Sequence, residues 1–385
     1  MSALLQVTDT GAPLNSARAF RYLWLNWRLI GMHPTRRHRC LYLAYSASIN
    51  SVFGILLPAT MIAKLCFIEN LPQLIGLLYL GVTLTMATAK QFSLWLHRSK
   101  LLDVNLYLAK LDARCNHHAV DRQHLLWAIR ICHFYYVAYM FVYELSSSGF
   151  AYIGFSLRQL VYDAWFPKLY EDADKNLTIT LIYQNFAVMT FFVLQNVNND
   201  MYPQCYLAVM IGHMRALSAR ISRVGKDGAL SVEDNIEELK NCIEDHKNLL
   251  SYFACIRPVI SRTIFMQFGI TAFVLCLTAV KYVAFGVDTA QMLIAITYIF
   301  AVLIEALPCC WYVNALLEEC GQLTLAIYSC QWFEQSKEFR KILIVFMQRS
   351  QRATVLMAGN LVPITLQTFL NIIKFSFSMY TILKG

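Results

Sequence analysis

The sequence predicts an all-α integral membrane protein of seven transmembrane helices, with a cytosolic N-terminus, an extracellular C-terminus and a layer of cytosolic anchor helices. Three observations carry this. Hydrophobic residues make up 57% of the 385 positions and charged residues only 15%, against roughly a quarter charged in soluble domains. Uncharged apolar runs long enough to cross a hydrocarbon core recur along the chain, and the mean hydropathy is +0.45. Lysine and arginine then fall on alternate connections between those runs, which sets a direction.

Taken in order, residues 1–39 form a cytosolic N-terminal region. It lacks a basic start followed by an apolar core and a small-residue cleavage site, so it does not read as a secretory signal, and the first span is expected to target the chain. The spans lie at 40–68, 71–96, 128–154, 177–198, 262–285, 289–314 and 354–384, the last being the least apolar. The fourth is expected to continue as a helix past Pro203. Residues 40–213 thus hold the first four spans and 214–261 a cytosolic helical segment. Residues 262–314 hold the fifth and sixth spans, 315–353 the cytosolic anchor helices, and 354–385 the seventh span.

Direction follows from the basic residues. The N-terminal region holds Arg18, Arg21, Arg28, Arg36, Arg37 and Arg39, while the next turn, "ENLP", holds none. Summed over alternate connections, 24 lysines and arginines fall on one side and 5, counting the terminal Lys384, on the other. The charged side is the cytosol by the positive-inside rule. The "NLT" sequon at Asn176 lies in a connection assigned outside, where glycosylation machinery has access. A G-protein-coupled receptor has the opposite orientation, so the charge map argues against that class. The net charge of +9 is accounted for by the inside loops and calls for no nucleic-acid partner.

The two long inside segments are amphipathic. Ile236, Leu239, Cys242 with Ile243, His246, Leu249 with Leu250, and Phe253 form one side of a helix, with Ser231 and Asp234 spaced as an N-terminal cap. Phe339, Leu343, Phe346 and Met347 form the apolar side of a second. Such helices either complete the fold of one subunit or join subunits.

In the last span, Gln367, Asn371, Lys374, Ser378 and Thr381 recur at alternating spacings of four and three, a single stripe on a helix. Phe375 lies beside it and Ile382 extends it at the outer end. Polar groups do not face lipid, so the stripe meets protein or water. Two readings stay open: glue between helices of one bundle, or the wall of a water-filled path between subunits, with Ile382 as an apolar gate that closes by dewetting.

Other classes find little support. The chain has no GxxxxGK[ST] loop, HExxH helix, GxSxG elbow or GxGxxG turn, so it does not read as an enzyme and no cofactor is expected. "CNHH" at 115–118 with His124 reads as surface histidines rather than a metal site, and the twelve cysteines include no CxxC pair and suggest no disulfide framework. The inverted repeats and paired broken helices of a secondary transporter are not found.

The chain's end, "MQRSQRATVLMAGNLVPITLQTFLNIIKFSFSMYTILKG", resembles the C-terminal signature of insect odorant receptors. The matching pieces are Gln348–Arg349, Ala358–Gly359, Pro363, Phe369, Lys374 and Ser378 through Leu383. "YDAWFP" at 162–167, "EDHKNLL" at 244–250, "ALPCCWYVN" at 306–314 and "AIYSCQWFE" at 326–334 fit in the same order. The resemblance implies a plasma-membrane, odorant-gated, non-selective cation channel of sensory neurons, built as a heterotetramer with the universal odorant co-receptor. Four copies of the last helix would line its pore. The co-receptor's gate valine corresponds to Ile382 and its Thr-Tyr pair to Ser378–Met379, while its pore glutamine falls on Gly385, a departure. A gustatory-receptor-like channel is the main rival, but the terminal pattern that would favour it is absent.

The resemblance also implies that small volatile ligands sit among the outer halves of the second to sixth spans. In the third span, Tyr139, Tyr143, Ser146 and Phe150 share a face with Ser147 adjacent, and Glu144 is a carboxylate in the membrane. Tyr79, Thr83, Tyr183, Phe186, Phe273 and Thr278 are the candidates from other spans. Aromatic walls with a few hydroxyls suit mostly apolar volatiles; ordinary bundle packing is the competing reading for each residue.

Overall fold

Apolar runs that outlast the bilayer set the architecture. The computed structural model describes residues 13–33, 39–68, 70–116, 118–158, 160, 162–166, 173–226, 231–285, 289–352 and 354–384. After a short 3-10 turn at Ser16–Phe20 the elements are α1 (Arg21–Leu29), α2 (Arg39–Phe67), α3 (Leu71–Cys115), α4 (Ala119–Leu157), α5 (Ala173–Phe186 continuing through Val193–Arg223), α6 (Val232–Phe285), α7 (Thr289–Ser329) and α8 (Lys337–Ser350). A two-stranded pair, β1 (Met357–Ala358) and β2 (Val362–Pro363), leads into α9 (Leu366–Lys384). By length and composition, six helices among the described residues can cross a membrane: α2 to α7. At 19 residues and 1.5 Å per residue, α9 is about 28 Å long, close to the thickness of a hydrocarbon core.

A helical layer beyond the hydrocarbon core exists because the spans do not stop at its edge. The 45 residues of α3 and the 54 of α6 give rods of about 68 and 81 Å, more than twice that thickness. The segment expected at 214–261 is therefore divided: residues 214–223 end α5, and the amphipathic run from Ile236 to Phe253 is the first part of α6 itself. Its N-terminus is capped as the Ser231/Asp234 spacing predicts: the Asp234 N–H donates to Ser231 Oγ at 3.1 Å, and Ser231 N–H donates back to Asp234 Oδ2 at 3.2 Å. Ser336 caps α8 in the same way through the Phe339 N–H, 3.2 Å.

The lower part of α5 is the axis around which the bundle packs. From Asn198 to Met214 every residue is buried, against α4, α7, α6 and α3, and the helix runs through Pro203 as expected. Tyr202 donates to Thr263 Oγ1 (2.6 Å) and Tyr206 to the Leu101 carbonyl (3.2 Å), so its phenols are buried with their hydroxyls satisfied. The N-terminal region folds back onto this axis. Phe20 stacks on Tyr206 with centroids 4.1 Å apart, and Trp27 and Ile30 are fully buried. One turn each of α2 (Asn50–Ile55) and α5 (Ala187–Phe192) widens to π geometry, and the two turns pack on each other with Gly54 beneath the Phe191 ring. The widened turn leaves the Gly54 carbonyl available to Thr88 Oγ1, 3.0 Å away.

The last span starts later than its hydropathy predicts, at Leu366 rather than 354. The intervening "MAGNLVP" folds as a hairpin because Gly359 and Asn360 both take positive φ, 58° and 59°, and Pro363 lacks the N–H that would continue a helical ladder. The turn closes with Leu361 N–H on the Ala358 carbonyl (3.0 Å), and Gly359 N–H ties it to the Ser261 carbonyl of α6 (3.0 Å). All twelve cysteines are free thiols.

Candidate functional site

Five helices each send one polar side chain to the same place inside the bundle. They are Lys90 of α3, Tyr143 of α4, Asp200 of α5, Gln267 of α6 and Glu305 of α7. Lys90 Nζ donates to Gln267 Oε1 at 2.6 Å and lies 3.5 Å from Asp200 Oδ1. Tyr143 Oη is 2.6 Å from Asp200 Oδ2 and 3.0 Å from Glu305 Oε1. Gln267 Nε2 donates to Glu305 Oε2 at 3.0 Å, which closes a ring. The side chains of Lys90 and Asp200 are each only 4% exposed. Charges this deeply placed persist only when paired and hydrogen-bonded.

Above the ring lies a cavity of about 140 Å³ lined by Lys90, Tyr143 and Glu305 at one end. Thr83, Ser146, Ser147, Asn196, Tyr162, Val188, Phe192 and Val302 form other parts of its wall. Its setting follows from the sequence: α4 turns Tyr143, Ser146 and Ser147 toward the bundle at helical spacing, and α5 brings Phe192 and Asn196. Tyr162, from the connection after α4, completes the wall. There Tyr162 is held by Gln184 Nε2 on its carbonyl (2.7 Å), Trp165 N–H reaches the Thr60 carbonyl (3.0 Å) and the Trp165 ring stacks on Phe67. Asp163 pairs with Lys64 at 3.7 Å.

Of the residues singled out from the sequence, Thr83, Tyr143, Ser146 and Ser147 come together on this wall. Tyr139 sits one turn below, its ring centroid 6.3 Å from that of Tyr143 and its hydroxyl on the Ile304 carbonyl (3.1 Å). Tyr183 is spent on a separate aromatic group with Phe53 and Phe166, and donates to the Val52 carbonyl. Thr278 is buried and bonds back to the Val274 carbonyl (2.8 Å). Phe186 and Phe273 are 55% and 41% exposed on the outside of the bundle. Glu144 does not join the wall, because one residue on from Tyr143 is a turn of 100° around α4; the carboxylates at the cavity end are Glu305 and Asp200. The side chains of Tyr79 and Phe150 lie outside the described residues. Asn176 stands near the N-terminal end of α5, where its carbonyl accepts from Thr180 Oγ1 (2.7 Å).

Lys90, Asp200, Gln267 and Glu305 did not stand out by periodicity. Their signal is the ionisable residue inside an apolar run: a lysine, an aspartate and a glutamate in three different spans imply partners for one another.

The polar stripe of α9 turns away from its own subunit. The helix packs on α6 and α7 through Thr368, Phe369, Ile372, Ile373 and Ser376, while Gln367, Asn371, Lys374, Phe375 and Ser378 are exposed. Gln367 Nε2 donates to Asn371 Oδ1 at 3.0 Å along the stripe. The glue reading within one subunit is thereby disfavoured. The side chain of Ile382 lies outside the described residues. Near the C-terminal ends of α3 and α5, a larger cleft of about 820 Å³ is lined by Arg114, Arg220 and Arg223, but these guanidinium groups are already paired with Asp245, Glu244, Glu238 and Asp121. Among the described residues no group of three potential metal ligands forms.

The model of the family described as 7tm Odorant receptor matches residues 70–377. Odorant receptor 2a of Drosophila melanogaster is 30% identical over 96% of this chain and 97% of its own length. Odorant receptor 42a of the same organism is 27% identical over 99% and 94%. Among solved structures, the insect olfactory receptor OR5 from Machilis hrabei superposes with a TM-score of 0.73 at 14% identity, covering 94% of this chain and 97% of that one. Its complex with eugenol gives a TM-score of 0.74 with the same coverage. With the matched model spanning most of the chain and relatives aligned end to end, this multi-pass membrane protein belongs to the seven-transmembrane odorant receptor family.

Proposed function

We propose that the chain is the odorant-binding subunit of a ligand-gated, non-selective cation channel of the plasma membrane, assembled as a heterotetramer with the universal odorant co-receptor. The observation that carries this is the cavity among α3 to α7, in a family one of whose solved members is in complex with eugenol. A volatile in that cavity meets Thr83, Tyr143, Ser146 and Ser147, with Tyr139 supporting the floor. The N-terminus is cytosolic and the C-terminus extracellular, as the distribution of basic residues supports.

Gln367, Asn371, Phe375 and Ser378 contribute to the pore wall, with Ile382 at the gate. A polar stripe on the outside of a lone subunit, in a helix that must avoid lipid with that face, supports a wet axis shared with neighbours. Ligand binding reaches that helix through α6 and α7, which both border the cavity and pack against α9. Expression in cells with and without the co-receptor, with currents recorded under a broad panel of volatiles, tests the reading. Odour-evoked cation current only with both subunits is expected. Volatile-evoked G-protein signalling from this chain alone, with no current in either case, would reject it.

A further inference from the structure

The hydrogens of the buried ring can be counted, and the count fixes its charge. Tyr143 has one hydroxyl hydrogen but lies within hydrogen-bond distance of two carboxyl groups, 2.6 Å from Asp200 and 3.0 Å from Glu305. A phenol donates only once, so one of the two contacts needs a proton on the carboxyl side. The shorter contact takes the tyrosine hydrogen, and Asp200 is also the group that faces the Lys90 ammonium. The proton therefore belongs on Glu305 Oε1, donated to Tyr143 Oη. Every contact then has one donor and one acceptor: Glu305 to Tyr143, Tyr143 to Asp200, Lys90 to Asp200 and to Gln267, and Gln267 to Glu305 Oε2. The ring holds one ammonium and one carboxylate, and is neutral overall.

One donor is left over. A lysine ammonium carries three N–H groups, and among the described residues Lys90 meets two acceptors, Gln267 and Asp200. Lys90 is 3% exposed and lines the cavity. An unused hydrogen on a buried cation is costly unless an acceptor enters. A neutral floor with a free cationic donor favours an uncharged acceptor, whereas an ammonium ligand would have to approach Lys90 itself.

We propose that the cavity takes a neutral volatile bearing a hydrogen-bond-accepting oxygen, and that Lys90 is the specificity-determining residue that reads it through its third N–H. This rests on the odorant-gated reading above. Asp200, Tyr143, Gln267 and Glu305 are positioning residues that hold the ammonium at the cavity end.

The test uses three probes of matched shape on the full chain co-expressed with the co-receptor. They are methyl butyl ketone, the alkane in which a methyl group replaces the carbonyl oxygen, and the amine in which an ammonium replaces it. A hydrogen bond from a charged donor predicts a half-maximal concentration about tenfold or more lower for the ketone than for the alkane, with the amine weaker than the ketone. The paired replacement Lys90→Met with Asp200→Asn removes donor and counter-ion together, leaves no orphan charge, and is expected to bring the ketone-to-alkane ratio close to one. A native response that ignores the carbonyl oxygen, or that is strongest for the amine, overturns the proposal without any variant. An unchanged ratio in the paired variant also overturns it. Current evoked by none of the three nor by a broad volatile panel rejects the channel reading itself, a separate result.

Discussion

At the level of single residues, the two carboxylates of the ring are not equivalent, although each touches Tyr143. Asp200 balances Lys90, and Asp200→Asn leaves a buried ammonium unpaired, at a cost of about 3–5 kcal/mol. Glu305→Gln replaces a protonated acid by an amide that can still donate to Tyr143 and accept from Gln267. Surface biotinylation of the two variants is expected to show Asp200→Asn largely retained inside the cell and Glu305→Gln delivered near the native level. Equal loss for both would mean that the proton does not reside on Glu305. This asymmetry is hidden in the sequence, where Lys90, Asp200 and Glu305 are only isolated charges in three apolar runs, and Glu144 is as prominent as any of them. Which side chains meet depends on how five helices rotate about their axes, and periodicity within one helix does not report that.

Single elements show where hydropathy misleads. The stretch before α9 is as apolar as a span, yet it forms a hairpin, because backbone conformation at Gly359 overrides hydrophobicity. A Cβ at Gly359 would lie 2.7 Å from the Phe265 ring, in a backbone with φ of 58°. Gly359→Ala is expected to cost about 1–3 kcal/mol and to lower the thermal stability of the assembled protein in detergent. Gly321→Ala, in the interior of α7 with nothing within 4 Å of the added Cβ, is the control and should be neutral or stabilising by up to about 1 kcal/mol. A melting temperature unmoved by the first change would show that the hairpin is not strained by a side chain there. The amphipathic run from Ile236 to Phe253 was legible as a helix, as was its Ser231 cap, since both depend on contacts only three or four residues apart.

For the whole molecule, the apolar runs were enough to read a multi-pass all-α membrane fold, with six helices long and apolar enough to cross a bilayer among the described residues; the sidedness of lysine and arginine predicts a direction of insertion. The shared cavity wall was partly legible, as Tyr143, Ser146 and Ser147 lie on one face of α4; Phe186 and Phe273, singled out by composition alone, face outward. The direction has a simple check. An epitope fused after Gly385 is expected to bind antibody on intact cells, and one fused before Met1 only after permeabilisation. The reverse pattern would invert the molecule and place the cavity on the wrong side for airborne ligands.

The uninterrupted length of α6 has a mechanical corollary. One helix carries Gln267 beside the ammonium, the Ser261 carbonyl that anchors the terminal hairpin, and the capped end at Ser231. Pro258 lies between Gln267 and that capped end and removes a hydrogen bond of the ladder, so the rod has a weak point one turn from the hairpin anchor. On the proposed reading, a swing that a bound volatile imposes at Gln267 meets that weak point before it reaches the Ser231 end, so the two halves of the rod answer it unequally.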